Sequence, residues 1–323
     1  MSDGAAVVVP VPSPTEKTFR AFTQAQGASY ARGRPGYHHS LYDHICDHHT
    51  STGGKLDTLL DVGCGPGTVA RELGPRFARV IGLDPAEGMI AAARALGGVS
   101  STSEPIRFEV SAAEDLGSAL DPSIPDASVD LITAATAAHW FDMPGFWAAA
   151  ARVLKPGGSV AIWNGSAKYV HPATPNLQRL QETLLAFRQE HLVPYMAPGN
   201  HVGDALYATL PLPWTLETPV ADFDKDTFFR RDWNKDGVLT PGDEHFLAQQ
   251  VFGLNDIEKF LETVSPILRW REAHPDAVGT ERDVIKMLRK EIQTLLSEAG
   301  VEKGKEAIIT SVSAVLLMVK KKA

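Results

Sequence analysis

An α/β fold is predicted, with a mostly parallel sheet, helices on both faces and a mainly helical insertion in the C-terminal half. Three observations predict it. Strand and helix patterns alternate between residues 57 and 164. A glycine turn, GCGPG at 63–67, joins the first of those strands to a helix. A strand-like apolar run returns at 307–320 only after a long stretch of mostly helical character.

Taken in order, residues 1–14 are proline-rich and predict a disordered leader. Residues 15–26 and 38–50 read as helices that precede the core. Strands are expected near 57–62, 78–83, 106–110, 128–134 and 158–164, with helices near 67–74, 87–96, 113–119 and 144–153. Lys155-Pro156-Gly157-Gly158 is the turn that stops the helix before the fifth strand. Beyond Trp163 the rhythm changes. A helix is expected at 176–191, a Pro- and Gly-rich stretch follows at 194–213, and Trp214 to Phe223 could be a strand. Residues 244–299 are mainly helical, and Ala307 to Lys320 read as a last strand. The predicted organisation is a leader (1–14), a core with N-terminal lid helices (15–165), a cap with one core strand near 214–222 (166–305), and a final core strand (306–323).

The chain has 323 residues, 44% hydrophobic and 22% charged, which is the composition of an ordinary globular protein. A net charge of −8 argues against a nucleic-acid partner. Cys46 and Cys64 are the only cysteines, so no disulfide framework is available and a reducing, cytoplasmic setting is expected. The N-terminus lacks the basic segment of a signal peptide, and the apolar run near the C-terminus is too short to span a membrane. Neither a nucleic-acid nor a membrane partner is expected.

The turn itself narrows the ligand. LLDVGCGPGT (Leu59 to Thr68) has no lysine after Gly67, which excludes a phosphate loop of the G-x-x-x-x-G-K-[ST] kind. The dinucleotide fingerprint wants its third glycine where Thr68 stands, whereas Gly63, Gly65 and Gly67 are two apart. Asp61 puts a carboxylate where a pyrophosphate would be repelled but an ammonium or sulfonium tolerated. ARVIGLD ends at Asp84, where an acid can receive the two hydroxyls of an adenosine ribose. S-adenosylmethionine (SAM) has the ammonium, the sulfonium and the ribose, and no phosphate. Its charges fit better than those of NAD.

DVGCGPGT with GLD, AEDL (113–116) and AAHWFD (137–142) resembles the class I SAM-dependent methyltransferases. HWFD with KPGGSVAIW (155–163) narrows the resemblance to the fungal trans-aconitate methyltransferase group, which also holds the cantharidin-methylating enzymes. YARGRPGY (30–37) and TVSPILRWREAHP (263–275) extend it over most of the chain. The resemblance implies a Rossmann-like sheet whose last strand is antiparallel, SAM as cofactor, and O-methylation of a carboxylic acid or hydroxyl metabolite. It also implies that Tyr30 and Arg34 fold over the cofactor, Arg34 pairing with its carboxylate. Ala112 and Ala113 would flank the adenine, with Met89 and Glu114 nearby. The alternative is a SAM-fold regulatory protein without methyl transfer, and retention of the glycine turn with both acids argues against it.

Several candidates have two readings. Asp84 could cap the next helix and still bind ribose. His139 follows the fourth strand, where it could be a general base or a hydrogen-bonded structural group. Trp140 could be core packing or a π surface beside the methyl sulfonium and the acceptor. AAHWFD also replaces the Asn-Pro-Pro-aromatic element usual in methylation of base amino groups. A carboxylate acceptor needs no base but wants a cationic clamp, for which Arg230, Arg231, Arg269 and Arg271 are the supply. Two apparent metal sites are read as structural. Histidines 44, 48 and 49 with Cys46 point around a helix rather than converge. Asp232 to Asp243 matches an EF-hand loop but contains Pro241 and closes on Asp rather than Glu.

Overall fold

The computed structural model describes residues 17–239 and 251–323. The proline-rich leader and the end of the EF-hand-like loop, 240–243, lie outside the described residues. Seven strands form a continuous path and an eighth pairs off it. They are β1 (Thr58–Val62), β2 (Arg79–Asp84), β3 (Arg107–Val110), β4 (Val129–Ala135), β5 (Leu154–Val170), β6 (Phe223–Trp233), β7 (Val251–Gly253) and β8 (Ala307–Lys321). The path runs β3-β2-β1-β4-β5-β8-β6, and β7 pairs with β8. The first five strands are parallel to one another, and β8 is antiparallel to β5, β6 and β7. The sheet is thus mostly parallel, with its last strand reversed.

The helices are α1 (Gln24–Gly33), α2 (His39–Ser51), α3 (Thr68–Leu73), α4 (Glu87–Leu96), α5 (Met143–Val153), α6 (Leu177–Phe187), α7 (Pro198–Asp204), α8 (Leu254–Leu261), α9 (Ser265–Ala273) and α10 (Val284–Glu298). Leu60, Ile132 and Ile162 point into one core with α5, and Leu59, Leu131 and Trp163 point into another with α2 and α3. Residues adjacent in sequence enter opposite layers because strand side chains alternate. A third core packs α6, α8, α9 and α10 together around Ile267, Leu288 and Leu296, within the span expected to form a cap.

Four expectations are corrected. The first helix, expected at 15–26, spans Gln24–Gly33 among the described residues, because Thr23 and Gln26 form a reciprocal cap, each side chain accepting the other's backbone N–H at 3.3 and 2.8 Å. Residues 113–119 form turns, since Leu116 (φ 40°) and Gly117 (φ 70°) are left-handed. The strand expected at 214–222 begins instead at Phe223. Its charged sequence, FDKDTFFRRDW, hid it; charges suit a strand at the edge of the path, where they discourage pairing with another chain. The Pro- and Gly-rich stretch also contains α7, which enters on Pro198.

Strand order reverses between β1 and β4, after β3. Crevices outside the carboxyl ends of the strands at such a switch point are where doubly wound sheets hold ligands.

Candidate active site

A cavity of about 210 Å³ opens at this switch point. The turn after β1 supplies Gly63, Cys64, Gly65 and Pro66 to its lining. Gly65 has φ 54°, a conformation that a side chain disfavours, and no protein atom fills the space where its Cβ would project. Gly67 (φ 82°) does not line the cavity; its missing Cβ makes room for the Phe108 ring, so it serves packing.

Asp61 ends in the cavity wall with 1% of its surface exposed. Its Oδ1 accepts from the Thr133 hydroxyl at 2.8 Å, while its Oδ2 is buried without a hydrogen bond of normal geometry. Burial pushes the carboxyl up to about 7, against the opposing pull of Thr133 and the Ala70 amide. A buried oxygen with no donor is costly, and a ligand cation would satisfy it. Asp84, at the end of β2, accepts from the Gly65 and Ala86 amides at 2.9 Å each. Burial raises it to about 6 although both amides favour the charged form. It therefore turns the chain into α4 and lines the cavity at once. Met89, Ala113 and Glu114 line the same side, whereas Ala112 does not.

The N-terminal segment forms the roof. Phe19, Arg20, Tyr30, Arg34 and Tyr37 all line the cavity. Arg34 lies between the Tyr30 and Phe260 rings, 5.1 and 5.0 Å from their centroids, and donates to the Thr263 carbonyl at 3.0 Å. Its Nε is buried with no hydrogen-bond partner. Trp140 joins the lining and meets Phe19 edge-on at 6.2 Å. Phe19, Arg20, Tyr37, Thr136 and Phe260 escaped the sequence reading; only Tyr37 lies in a motif it had singled out.

His139 is not in the lining. Its Nδ1 is 3.0 Å from the Tyr207 hydroxyl, and its ring packs beside Trp140. Burial, and then the Arg34 charge, push it down to about 3, far from what a base working near neutrality needs. The four candidate arginines, two of them on the sheet strand β6, are also committed elsewhere. Arg230 grips Asp232 through two nitrogens and the Leu206 carbonyl. Arg231 contacts His44 and lies over Trp233. Arg269 binds the Tyr195 carbonyl, Thr18 and Asn200. Arg271 clamps the fully buried Asp283, which caps α10. None of the four lines the cavity.

The histidine-rich helix α2 is similarly dispersed. His49 is buried between Ser159 and the Lys55 carbonyl, and His48 packs on Phe229. In the EF-hand-like loop, Asp232 is taken by Arg230, and Asn234 donates to the Val312 carbonyl. Among the described residues no group of three or more ligands is placed to hold a metal, and no helix is long and apolar enough to cross a membrane.

A doubly wound sheet with a glycine turn, two acids at strand ends and a roofed cavity at the switch point is the geometry of a small-molecule ligand site. Residues 60–162 match the family described as methyltransferase domain. A Dictyostelium discoideum relative, by its name a candidate methyltransferase, is 34% identical over 171 residues, half of this chain and 58% of its own length. The Saccharomyces cerevisiae protein CRG1, named as a SAM-dependent methyltransferase of the "probable" grade, is 25% identical over 77% of this chain and 82% of its own. The methyltransferase ptaI of Pestalotiopsis fici is 26% identical over 88% of this chain and 94% of its own. A solved structure from Anaeromyxobacter dehalogenans shares the fold, with a TM-score of 0.55, 23% identity and coverage of 90% of this chain and 97% of that one. Over residues 60–162 the chain is thus similar to a methyltransferase domain, and one of the relatives it resembles is named as SAM-dependent.

Proposed function

We propose that the chain O-methylates a small carboxylic acid, with SAM lying across the switch point. In this reading Asp61 faces the cofactor's ammonium, and its unsatisfied Oδ2 is the observation that carries the placement. Asp84 receives the ribose hydroxyls, and Met89, Ala113 and Glu114 border the adenine. Arg34 offers its unpartnered Nε to the cofactor carboxylate. Tyr30, Trp140 and Phe19 shield the methyl group from water.

The chemistry left to the cavity supports a carboxylate as acceptor. His139 is turned into Tyr207 and held neutral, so it does not take a proton from an incoming hydroxyl. Asp61 and Asp84 are assigned to the cofactor. A carboxylate arrives ionised and attacks as it stands. One of its oxygens bonds to the methyl carbon while the carbon–sulfur bond breaks, giving a methyl ester and S-adenosylhomocysteine, with no proton in flight. Orientation and exclusion of water supply the acceleration.

The test is methyl transfer from methyl-tritiated SAM to a panel of carboxylic acids and their matching alcohols. Base hydrolysis of methyl esters releases volatile labelled methanol, whereas ethers keep their label. The reading expects base-labile label from the acids. Base-stable label from the alcohols alone would contradict it.

A further inference from the structure

Two hydroxyls that line the cavity, those of Tyr37 and Thr136, are given no role by the cofactor placement proposed above. The wall beside them is built from the carboxyl ends of β4 and β5 and from β8, on the other side of β1 from β2. Ala135, Gly165, Ala167 and Val312 contribute to it, and none of their side chains carries a polar group. Tyr37 and Thr136 do. Their hydroxyls lie 2.9 Å apart, and either can donate to the other.

The pair is held in place from several directions. The Tyr37 ring meets Trp163 edge-on at 5.6 Å and Tyr42 at 6.3 Å. The Thr136 amide donates to the Trp163 carbonyl at 2.8 Å. Thr136 itself has φ 51°, a left-handed conformation that is unfavourable for a β-branched residue and that the surroundings must enforce. Burial pushes the Tyr37 phenol up to about 12, so it keeps its proton and acts as a donor.

We infer that the Tyr37–Thr136 hydroxyl pair anchors the methyl acceptor, donating to one oxygen of a small carboxylic acid so that the other faces the methyl carbon. This rests on the reading that the cofactor lies against Asp61 and Asp84. The apolar wall around the pair suits an acid with a hydrocarbon body. The reaction keeps its balance: the anchored carboxylate gains the methyl group, the sulfonium becomes a neutral thioether, and both hydroxyls retain their protons.

Tyr37→Phe keeps the ring packing and removes only the hydroxyl. Thr136→Val removes the other hydroxyl at equal shape, and Thr136→Ser retains it. The methanol-release assay is run with cinnamate, hexanoate and succinate as probes, alongside calorimetric binding of S-adenosylhomocysteine and thermal melting. Tyr37→Phe and Thr136→Val are expected to raise the acceptor KM by ~10- to 100-fold, the loss of a hydrogen bond to a charged group. Affinity for S-adenosylhomocysteine should stay within about twofold, and Thr136→Ser should behave like wild type. Carboxylates methylated equally well by wild type and Tyr37→Phe would overturn this inference and leave the acceptor class intact. A parallel loss of S-adenosylhomocysteine binding in Tyr37→Phe would assign the hydroxyl to the cofactor and also overturn it. A wild type that binds S-adenosylhomocysteine but releases methanol from none of the probes sinks the carboxylate reading, and this inference with it.

Discussion

Asp61 and His139 show how burial decides the use of a titratable group. Desolvation shifts both toward their neutral forms, the buried Asp61 up to about 7 and the half-buried His139 down to about 3. They differ in what remains available. Asp61 keeps an unpartnered oxygen on the cavity, while His139 spends its Nδ1 on Tyr207. For Asp61 the folded pKa exceeds the unfolded one, so between about pH 4 and 7 the native state holds a proton that the unfolded chain has lost. Stability without ligand from this group is complete at low pH and lost as pH rises through about 7. His139 has the opposite sign: its contribution is present above about pH 6.5 and is lost as pH falls towards 3. His139→Asn should therefore cost about 1 kcal/mol of stability through the Tyr207 contact, and no more than ~10-fold in transfer rate through positioning. Rate measurements from pH 5 to 8 should give the same profile for this variant and wild type. A steep acid limb near pH 6.5 that disappears in the variant would restore His139 as a base.

Among the elements, α1 matters most for closing the site. The helix sits close against α4, where a Cβ on Gly27 would meet the Gly88 carbonyl at 2.7 Å. Its C-terminal neighbour Arg34 then ties the roof to the cap, stacked on Tyr30 from the roof and Phe260 from α8 and bonded to Thr263. Planarity and the forked donors are what that position uses, and lysine has neither. Arg34→Lys should lower stability by about 1–2 kcal/mol and weaken S-adenosylhomocysteine binding ~10-fold. Thermal melting and calorimetry check the two effects. Wild-type values for both would show that charge alone suffices there and that the roof is not latched through Arg34.

At the scale of the molecule, legibility tracked sequence distance. The turn after β1, the ends of β1 and β2 and the parallel core were readable because each signal is local: an apolar run, a glycine spacing, an acid at a strand end. The rest of the cavity lining was not, because Tyr37, Thr136, Val312 and Phe260 come from four distant segments that meet only when β8 pairs with β5 and α8 packs beside α1. The candidate arginines misled for a related reason. Composition suggests a clamp, yet each of the four contacts other protein groups, near in sequence for Arg271 with Asp283 and distant for Arg231 with His44, and sequence does not show which are already engaged. The edge strand β6 was hidden by the charges that protect it.

The proposed placement of the cofactor depends on its ammonium meeting Asp61. The direct measurement is calorimetric binding of S-adenosylhomocysteine from pH 6 to 8, in buffers of different ionisation enthalpy, for wild type and Asp61→Asn. With an unliganded pKa of about 7, wild-type Asp61 must give up its proton to receive the ammonium. Binding should therefore tighten as pH rises through 7, by up to about tenfold per unit below it, with proton release that fades towards pH 8. Asp61→Asn keeps an acceptor for Thr133 but should bind ~10- to 100-fold more weakly above pH 7, without the wild-type proton release between pH 6 and 7. Binding that is equally tight and equally pH-independent in both proteins would contradict the placement.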